Sequence, residues 1–177
     1  KILKCAGNND SVSLDCTKGS DIIDFQFSDK DGDKVSDFNL KLMEIDQEAL
    51  GIPENEYGCV LTLKSSEFQK VIKDLKDLGD SCEIKVTEND VTFSVLGDIG
   101  SSSVKLKKKD GSVKIVLDEP VCLKYAIRYL SEFSKATSLS DNVVLSLNSE
   151  LPLVVDYDIK TGKDTVKDVG YLKYYLA

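Results

Sequence analysis

Residues 42–57 read LMEIDQEALGIPENEY, and this acidic stretch determines how the rest of the chain is organised. Gly51 and Pro53 both disfavour the interior of a helix, and Ile52, because it precedes the proline, is restricted to extended backbone. Long connections without secondary structure are uncommon in compact domains and usually carry function. The stretch therefore predicts a functional connecting loop, which we place at residues 42–58, between a first domain at 1–41 and a second at 59–177.

The composition indicates a soluble globular protein. The chain has 177 residues, 41% of them hydrophobic, and contains no run of about 18 apolar residues that could span a membrane. Its five cysteines are scattered and form no Cys-x-x-Cys pair, which argues against a disulfide framework or a zinc site and suits a reducing compartment. Histidine, the commonest general base and metal ligand, does not occur in the sequence. We therefore expect no catalysis, no metal and no cofactor.

Two parts of the chain resemble each other at a spacing of about 132 residues. The segments that match in order are VSL at 12–14 with VLSL at 144–147, DFQF at 24–27 with DYDI at 156–159, and LK at 40–41 with LK at 172–173. Each set is predicted to form a helix followed by three strands. The segment at 59–119 precedes the second set, and the first set has no counterpart of it. The pattern predicts a repeated unit whose first copy lacks its front part.

Alternating apolar residues and turn signals predict the individual elements. We expect the end of a helix at 1–7 and strands at 11–17, 21–28, 33–42, 59–63, 81–86, 91–96, 101–106, 112–117, 143–147, 153–159 and 170–176. Two helices are predicted, one at 65–78 with Ser65 as N-cap and one at 123–133. Short strands with two helices on one side indicate the α+β class.

Both predicted helices turn basic side chains away from their apolar residues. The outward groups are Lys70, Lys73 and Lys76 in the first helix and Lys124, Arg128 and Lys135 in the second. Such a face often serves only solubility. Two of them in a chain of net charge −8 favour an electrostatic surface.

The loop resembles the interdomain connecting loop of the proliferating cell nuclear antigen (PCNA) family, the eukaryotic sliding clamps. The family's loop starts with Leu-Met followed by Asp or Glu and continues to Leu-Gly-Ile-Pro and a tyrosine, as residues 42–44, 50–53 and 57 do. The resemblance implies a DNA clamp fold of repeated β-α-β-β-β units, with helices lining a central hole and sheets outside. Residues 1–41 would then be the C-terminal part of the first clamp domain, and roughly the first third of a clamp would be absent.

The resemblance also implies a function. It predicts a DNA polymerase processivity factor, a ring that encircles duplex DNA without sequence preference and tethers replication and repair proteins through their PIP-box motifs. The expected partners are DNA polymerase and other PIP-box proteins, a clamp loader, and further copies of the chain in a homotrimer. The expected location is the nucleus, with no membrane association.

Site residues follow from the same resemblance. Contacts with DNA are implied for Lys1, Lys4, Lys70, Lys73, Arg128 and Lys135. The peptide-binding pocket is implied to use Met43, Leu50, Ile52, Pro53, Tyr57, Pro152, Tyr175, Leu176 and Ala177. Subunits are expected to pair the edge at 33–41 with the edge at 99–107 of the next subunit, through Lys34, Val35, Phe38, Leu40, Ile99, Ser102 and Val104. Strand alternation alone would instead direct Leu176 into the core and leave Tyr175 outside.

Some features depart from the family pattern or favour other functions. Glu88 stands where the family carries the lysine that is modified by ubiquitin, so that modification is not expected at this position. With its first domain incomplete, residues 1–177 alone are not expected to close a stable ring. The alternatives are a peptide-binding α+β module that does not act on DNA, a checkpoint clamp subunit, and a hydrolase that uses Asp118 and Glu119. Residues 29–33 (DKDGD) start like a calcium loop but fit a hairpin turn better.

Overall fold

The computed structural model describes residues 1–43, 56–108, 112–161 and 167–177, and these form two compact units, Lys1–Pro53 and Glu54–Ala177. The boundary between the units falls within the predicted connecting loop. Most of that loop, including Leu50, Ile52 and Pro53, lies outside the described residues.

The first unit contains a short 3-10 helix at Ile2–Cys5 and one antiparallel sheet. Its strands are β1 at Ser11–Asp15, β2 at Ile22–Ser28 and β3 at Val35–Lys41, in the order β1-β2-β3. The turn between β2 and β3 contains Gly32 at φ 78°, a left-handed conformation that glycine adopts without strain. Among the described residues of this unit, Phe27 is the one buried apolar side chain, and its ring lies 5.5 Å from that of Phe38.

The second unit contains two sheets and two α-helices. The strands are β4 at Cys59–Lys64, β5 at Ser81–Val86, β6 at Asp90–Gly97, β7 at Gly100–Lys107, β8 at Val113–Leu117, β9 at Val121–Ala126, β10 at Asn142–Leu147, β11 at Leu153–Thr161 and β12 at Lys167–Leu176. The five-stranded sheet has the order β12-β11-β10-β4-β8, and the four-stranded sheet has the order β7-β6-β5-β9. Helix α1 spans Ser65–Leu75 and α2 spans Ile127–Phe133, followed by a 3-10 helix at Ser134–Leu139.

One core joins both sheets to the helices of the second unit. Phe68 and Ile72 of α1 are buried together with Leu61 of the five-stranded sheet and Phe93 of the four-stranded sheet. Alternate residues of a strand point to opposite faces of its sheet. Each of the two sheets therefore has a second face that points away from the helices, and we call it the outer face of that sheet. The α+β class predicted from the sequence is confirmed. Neither helix of the described chain has the length and apolar character needed to cross a membrane.

The predicted helix at 123–133 is partly wrong. Residues 121–126 form strand β9, which pairs with β5, and α2 begins only at Ile127. The sequence Val121-Cys122-Leu123-Lys124-Tyr125 alternates between inward and outward positions, as a strand requires, but Leu123 and Ile127 also have helical spacing. Lys124 therefore lies on the outer face, 3.9 Å from Glu83, and forms no helical stripe with Arg128.

The start of α1 also differs from the prediction. The N-cap residue is Lys64, with extended backbone, and Ser65 is the first helical residue. The side chain of Ser65 is buried and caps no backbone N–H group. The helix ends at Leu75 rather than at residue 78, a difference within the usual uncertainty of helix ends.

The repeat is present as two antiparallel three-stranded sets, β1-β2-β3 and β10-β11-β12, but its predicted register is wrong. In the first set, Ile23 lies opposite Leu40. The predicted spacing of about 132 residues would make Val155 and Leu172 the equivalent pair. In the structure, however, Val155 lies opposite Tyr174. The corresponding aromatic pairs are Phe27 with Phe38, 5.5 Å between ring centroids, and Tyr157 with Tyr174, 6.4 Å between ring centroids. What repeats is the set of inward positions, while β11 and β12, with 9 and 10 residues, are longer than β2 and β3, with 7 residues each.

Two of the five cysteines belong to the core of the second unit. Cys59 and Cys82 are buried, and burial raises their thiol pKa values to about 11 and about 12. Cys5, Cys16 and Cys122 are exposed. The buried pair acts as small apolar side chains rather than as reactive thiols.

Candidate nucleic-acid and peptide-binding surfaces

The exposed side of α1 carries two lysines that are free of ion pairs among the described residues. Phe68, Val71, Ile72 and Leu75 bury the opposite side of the helix. Lys70 and Lys73, three positions apart, are neighbours on the exposed side. Asp74 and Asp77 follow these lysines by four positions and are also exposed, but no ion pair joins them to Lys70 or Lys73 among the described residues.

The basic residues near α2 already have partners within the chain. The guanidinium of Arg128 donates a hydrogen bond to the Tyr129 hydroxyl at 3.1 Å and lies 4.7 Å from the centre of that ring. The ammonium of Lys135, in the 3-10 helix after α2, lies 2.6 Å from a carboxylate oxygen of Glu132. The ion pair with Glu132 offsets the charge of Lys135, so the positive charge presented here is weaker than the sequence predicts.

Lys1 and Lys4 are exposed in and beside the short 3-10 helix of the first unit. They belong to a different compact unit from α1. Their assignment to DNA contacts stays a prediction.

Three of the predicted peptide-binding residues meet at one end of the five-stranded sheet. The hydroxyl of Tyr57 donates a hydrogen bond to the Pro152 carbonyl at 2.9 Å. The pKa of Tyr57 is raised, mainly by burial and further by the neighbouring Tyr175. Tyr175 is 39% exposed on the outer face of β12, opposite the buried Val154 of β11. The structure therefore presents the partly exposed ring of Tyr175 near Tyr57, whose hydroxyl is held by the Pro152 carbonyl.

Three other predicted peptide-binding residues have different surroundings. Leu176 is buried in the core, as strand alternation indicates, so its side chain offers a partner little surface. Met43 is 80% exposed but belongs to the first unit. Ala177 follows Leu176 and is exposed.

Tyr125 and a group of acidic residues lie in the parts of the second unit near Tyr57. Tyr125 of β9 is partly buried and packs against the core, and its pKa is raised to about 12 by burial, with smaller effects of Cys59 and Tyr57. A depression next to Tyr57 is lined by the carboxylates Glu56, Asp118 and Glu119. The alternation of β9 could have revealed Tyr125, but the helical spacing of its neighbours concealed it.

The two predicted assembly edges are open edges of their sheets within the described chain. β3 is an outer strand of the first unit's sheet, and β7 is an outer strand of the four-stranded sheet. Val35 and Leu40 of β3 are exposed, as is Ile99 in the turn directly before β7. Phe38 is half buried against Phe27, so part of its surface serves its own unit.

The remaining predicted interface residues differ in their exposure. Lys34 is exposed before β3, Ser102 is half buried in β7, and Val104 of β7 packs against the core. Unpaired strand edges with apolar side chains are able to pair with another chain.

Comparison with known protein families gives two matches that together cover nearly the whole chain. Residues 1–49 match the family model described as proliferating cell nuclear antigen, N-terminal domain. Residues 51–177 match the model described as proliferating cell nuclear antigen, C-terminal domain. The two models meet within the predicted connecting loop, and the sheets and helices of the described residues agree with a DNA clamp fold. The chain belongs to the proliferating cell nuclear antigen family of sliding clamps.

Proposed function

We propose that the protein is a DNA polymerase processivity factor that encircles duplex DNA and tethers replication and repair proteins. Membership of the sliding-clamp family implies interaction with DNA, with partner proteins and with further subunits, in a scaffold without enzymatic activity. The observation that carries the DNA part is the exposed pair Lys70 and Lys73 on α1, in a chain of net charge −8.

Lysines on a helix suit sequence-independent DNA contact. A lysine ammonium can neutralise a backbone phosphate, and such contacts supply affinity without reading base edges. A protein that slides needs contacts of this kind, because base-specific hydrogen bonds would favour one position on the duplex. In the proposal Lys1, Lys4, Arg128 and Lys135 add to the α1 contacts, and Arg128 and Lys135 must first leave Tyr129 and Glu132.

The proposed partner-binding surface centres on Tyr57, Pro152 and Tyr175, and Leu50, Ile52 and Pro53 of the connecting loop, which lie outside the described residues, are proposed to take part in binding. PIP-box peptides carry an aliphatic residue and paired aromatic residues. The exposed ring of Tyr175 offers apolar surface to such side chains, while the hydrogen bond from Tyr57 to Pro152 fixes the neighbouring ring. Aromatic groups that are held in place lose little entropy on binding, which favours their use as anchors.

A peptide-binding module that does not act on DNA is the second candidate. The strong net negative charge and the ion pair between Lys135 and Glu132 favour it. Both candidates use the surface around Tyr175, but only the clamp requires the lysines of α1. Retention on DNA therefore separates them.

The proposed assembly is a head-to-tail homotrimer in the nucleus, opened by a clamp loader. In it, β3 of one subunit pairs with β7 of the next, and the closed ring leaves neither edge free. We expect the intact protein to have about three times the subunit mass by light scattering, and Ile99→Asp to weaken association about tenfold or more. The reason is that an aspartate at the interface would lose its water shell without gaining a partner.

Leu96→Asp is a matched control for the assembly experiment. Leu96, near the end of β6, and Ile99, in the turn between β6 and β7, are 81% and 82% exposed, but only Ile99 belongs to the proposed interface. Leu96→Asp should leave the mass unchanged. Equal masses for the two variants and the unmodified protein, or a monomeric unmodified protein, would reject this interface.

A further inference from the structure

The turn that follows α1 lies directly against the end of β6, and a glycine stands on each side of the contact. Gly79 comes between the end of α1 and the start of β5, and Gly97 is the last residue of β6. A Cβ atom placed on Gly97 would overlap the Leu78 carbonyl oxygen and lie 2.8 Å from the Leu78 carbonyl carbon. A Cβ atom placed on Gly79 would lie 3.0 Å from the Leu96 carbonyl oxygen and 3.3 Å from the Gly97 Cα atom. The two stretches of backbone are therefore in direct contact at the glycines.

Lack of space, rather than backbone conformation, explains the two glycines. Neither Gly79 nor Gly97 has a positive φ, so other residues could adopt the same backbone conformation. At Gly97 a Cβ atom would collide with backbone atoms, which cannot rotate away as a side chain can. At Gly79 the nearest atom would be Cγ1 of Val95, at 2.8 Å, so the collision there is milder. Substitution at Gly97 must therefore move one of the two stretches of backbone.

The turn after α1 is held in place by its own contacts. The N–H group of Leu78 donates a hydrogen bond to the Leu75 carbonyl at 3.1 Å, and the Leu78 side chain packs against the core. Two residues later, the Asp80 carbonyl accepts a hydrogen bond from the N–H group of Ile127, the first residue of α2, at 2.9 Å. Movement of this turn would break contacts with both helices, so it resists displacement.

The hairpin between β6 and β7 is the part that can move. Gly97 lies opposite Gly100 at its base, and only Asp98 and Ile99 form the turn between them. Ile99 is exposed and makes no contact with the core. A methyl group on Gly97 would therefore push the hairpin away from the turn after α1. In a hairpin this tight, the displacement would reach Ile99 two residues later.

We propose that Gly79 and Gly97 are positioning residues for subunit assembly, because their contact sets the place of Ile99 and of the edge of β7 relative to α1. The inference rests on the assembly proposed above, in which β7 pairs with β3 of the next subunit. Two strand edges pair only when their orientation and register match. A displaced hairpin presents the β7 edge at the wrong angle, and a ring closes only when each subunit keeps a fixed angle between its two edges. Because α1 carries Lys70 and Lys73, the same contact fixes the basic face of α1 relative to the subunit boundary.

Dissociation of the assembled intact protein on dilution tests this inference. The dissociation constant is measured by analytical ultracentrifugation, at a temperature where circular dichroism shows every variant to be folded. Gly97→Ala should raise this constant about tenfold or more, and Gly79→Ala should raise it by a smaller factor. Gly170→Ala is the matched control, because Gly170 has no positive φ and a Cβ atom there would have no neighbour within 4 Å. The control should dissociate at the same concentration as the unmodified protein.

A role in packing alone would give a different result. Gly97→Ala would then lower Tm, while its folded subunits would associate as tightly as those of Gly170→Ala, and that outcome overturns the inference. A monomeric unmodified protein would instead reject the proposed assembly itself, and this inference with it. Should Gly97→Ala fail to fold, Gly79→Ala decides: a dissociation constant above that of the control supports the inference, and an equal one rejects it.

Discussion

Replacement of Lys70 and Lys73 by glutamate is expected to weaken the retention of the protein on duplex DNA by about tenfold or more at low salt. Both side chains lie on the exposed side of α1, and no ion pair within the described chain neutralises them. Each lost phosphate contact should reduce the slope of log affinity against log salt by about 0.9. The difference between variant and unmodified protein should therefore shrink as salt is raised, and it should be the same for all DNA sequences.

The matched control for this experiment is the double variant Lys85→Glu and Lys114→Glu. These lysines lie on the outer faces of β5 and β8, between buried neighbours, and their replacement changes the net charge by the same amount. The control variant should keep most of its DNA affinity, since only the long-range field of the protein changes. Equal losses for the two variants would mean that net charge, and not the α1 face, governs binding.

A second large effect is expected for peptide binding. Tyr175→Ala should weaken the affinity for a PIP-box peptide by about 10- to 100-fold, because the half-exposed ring would lose about 1.5–3 kcal/mol of apolar contact on binding. Ile52→Ala, in the connecting loop, is expected to lower the peptide affinity by a similar factor. Isothermal titration calorimetry with the intact protein measures both.

Tyr171→Ala is the control for peptide binding. Tyr171 is 66% exposed on the same side of β12, four residues before Tyr175, and its ring lies 4.7 Å from the Lys173 ammonium. It is far from Tyr57 and Pro152 along the strand, so its loss should leave the affinity nearly unchanged. The pocket assignment fails if Tyr175→Ala and Ile52→Ala bind the peptide as tightly as the unmodified protein does.

The sequence predicted the local elements well where one periodicity was clear. The strand at residues 59–63 and helix α1 were found because their apolar residues have spacings of two and of three to four. β9 was missed because Leu123, Ala126 and Ile127 have helical spacing, although Leu123 and Ile127 also fit the alternation of a strand. Only the pairing of β9 with β5, a contact between distant parts of the chain, decides in favour of a strand.

The candidate sites depend even more on contacts between distant parts of the chain, which sequence patterns do not reveal. Alternation along β12 correctly separated Tyr175 from Leu176. The hydrogen bonds from Tyr57 to Pro152 and from Thr137 to Ser65 join residues far apart in sequence, and no short pattern encodes them. The basic stripe near α2 was overestimated because Lys135 pairs with Glu132, a neighbour that a count of outward lysines ignores.

The central claim is that the protein encircles DNA, and a topological assay tests it most directly. The intact protein is loaded by its clamp loader onto a circular plasmid and washed at high salt, which screens the contacts of Lys70 and Lys73. The plasmid is then cut once. A ring should stay on the closed circle and slide off the ends of the cut DNA. Equal retention on circular and cut DNA, or loss from both in the salt wash, would contradict encirclement.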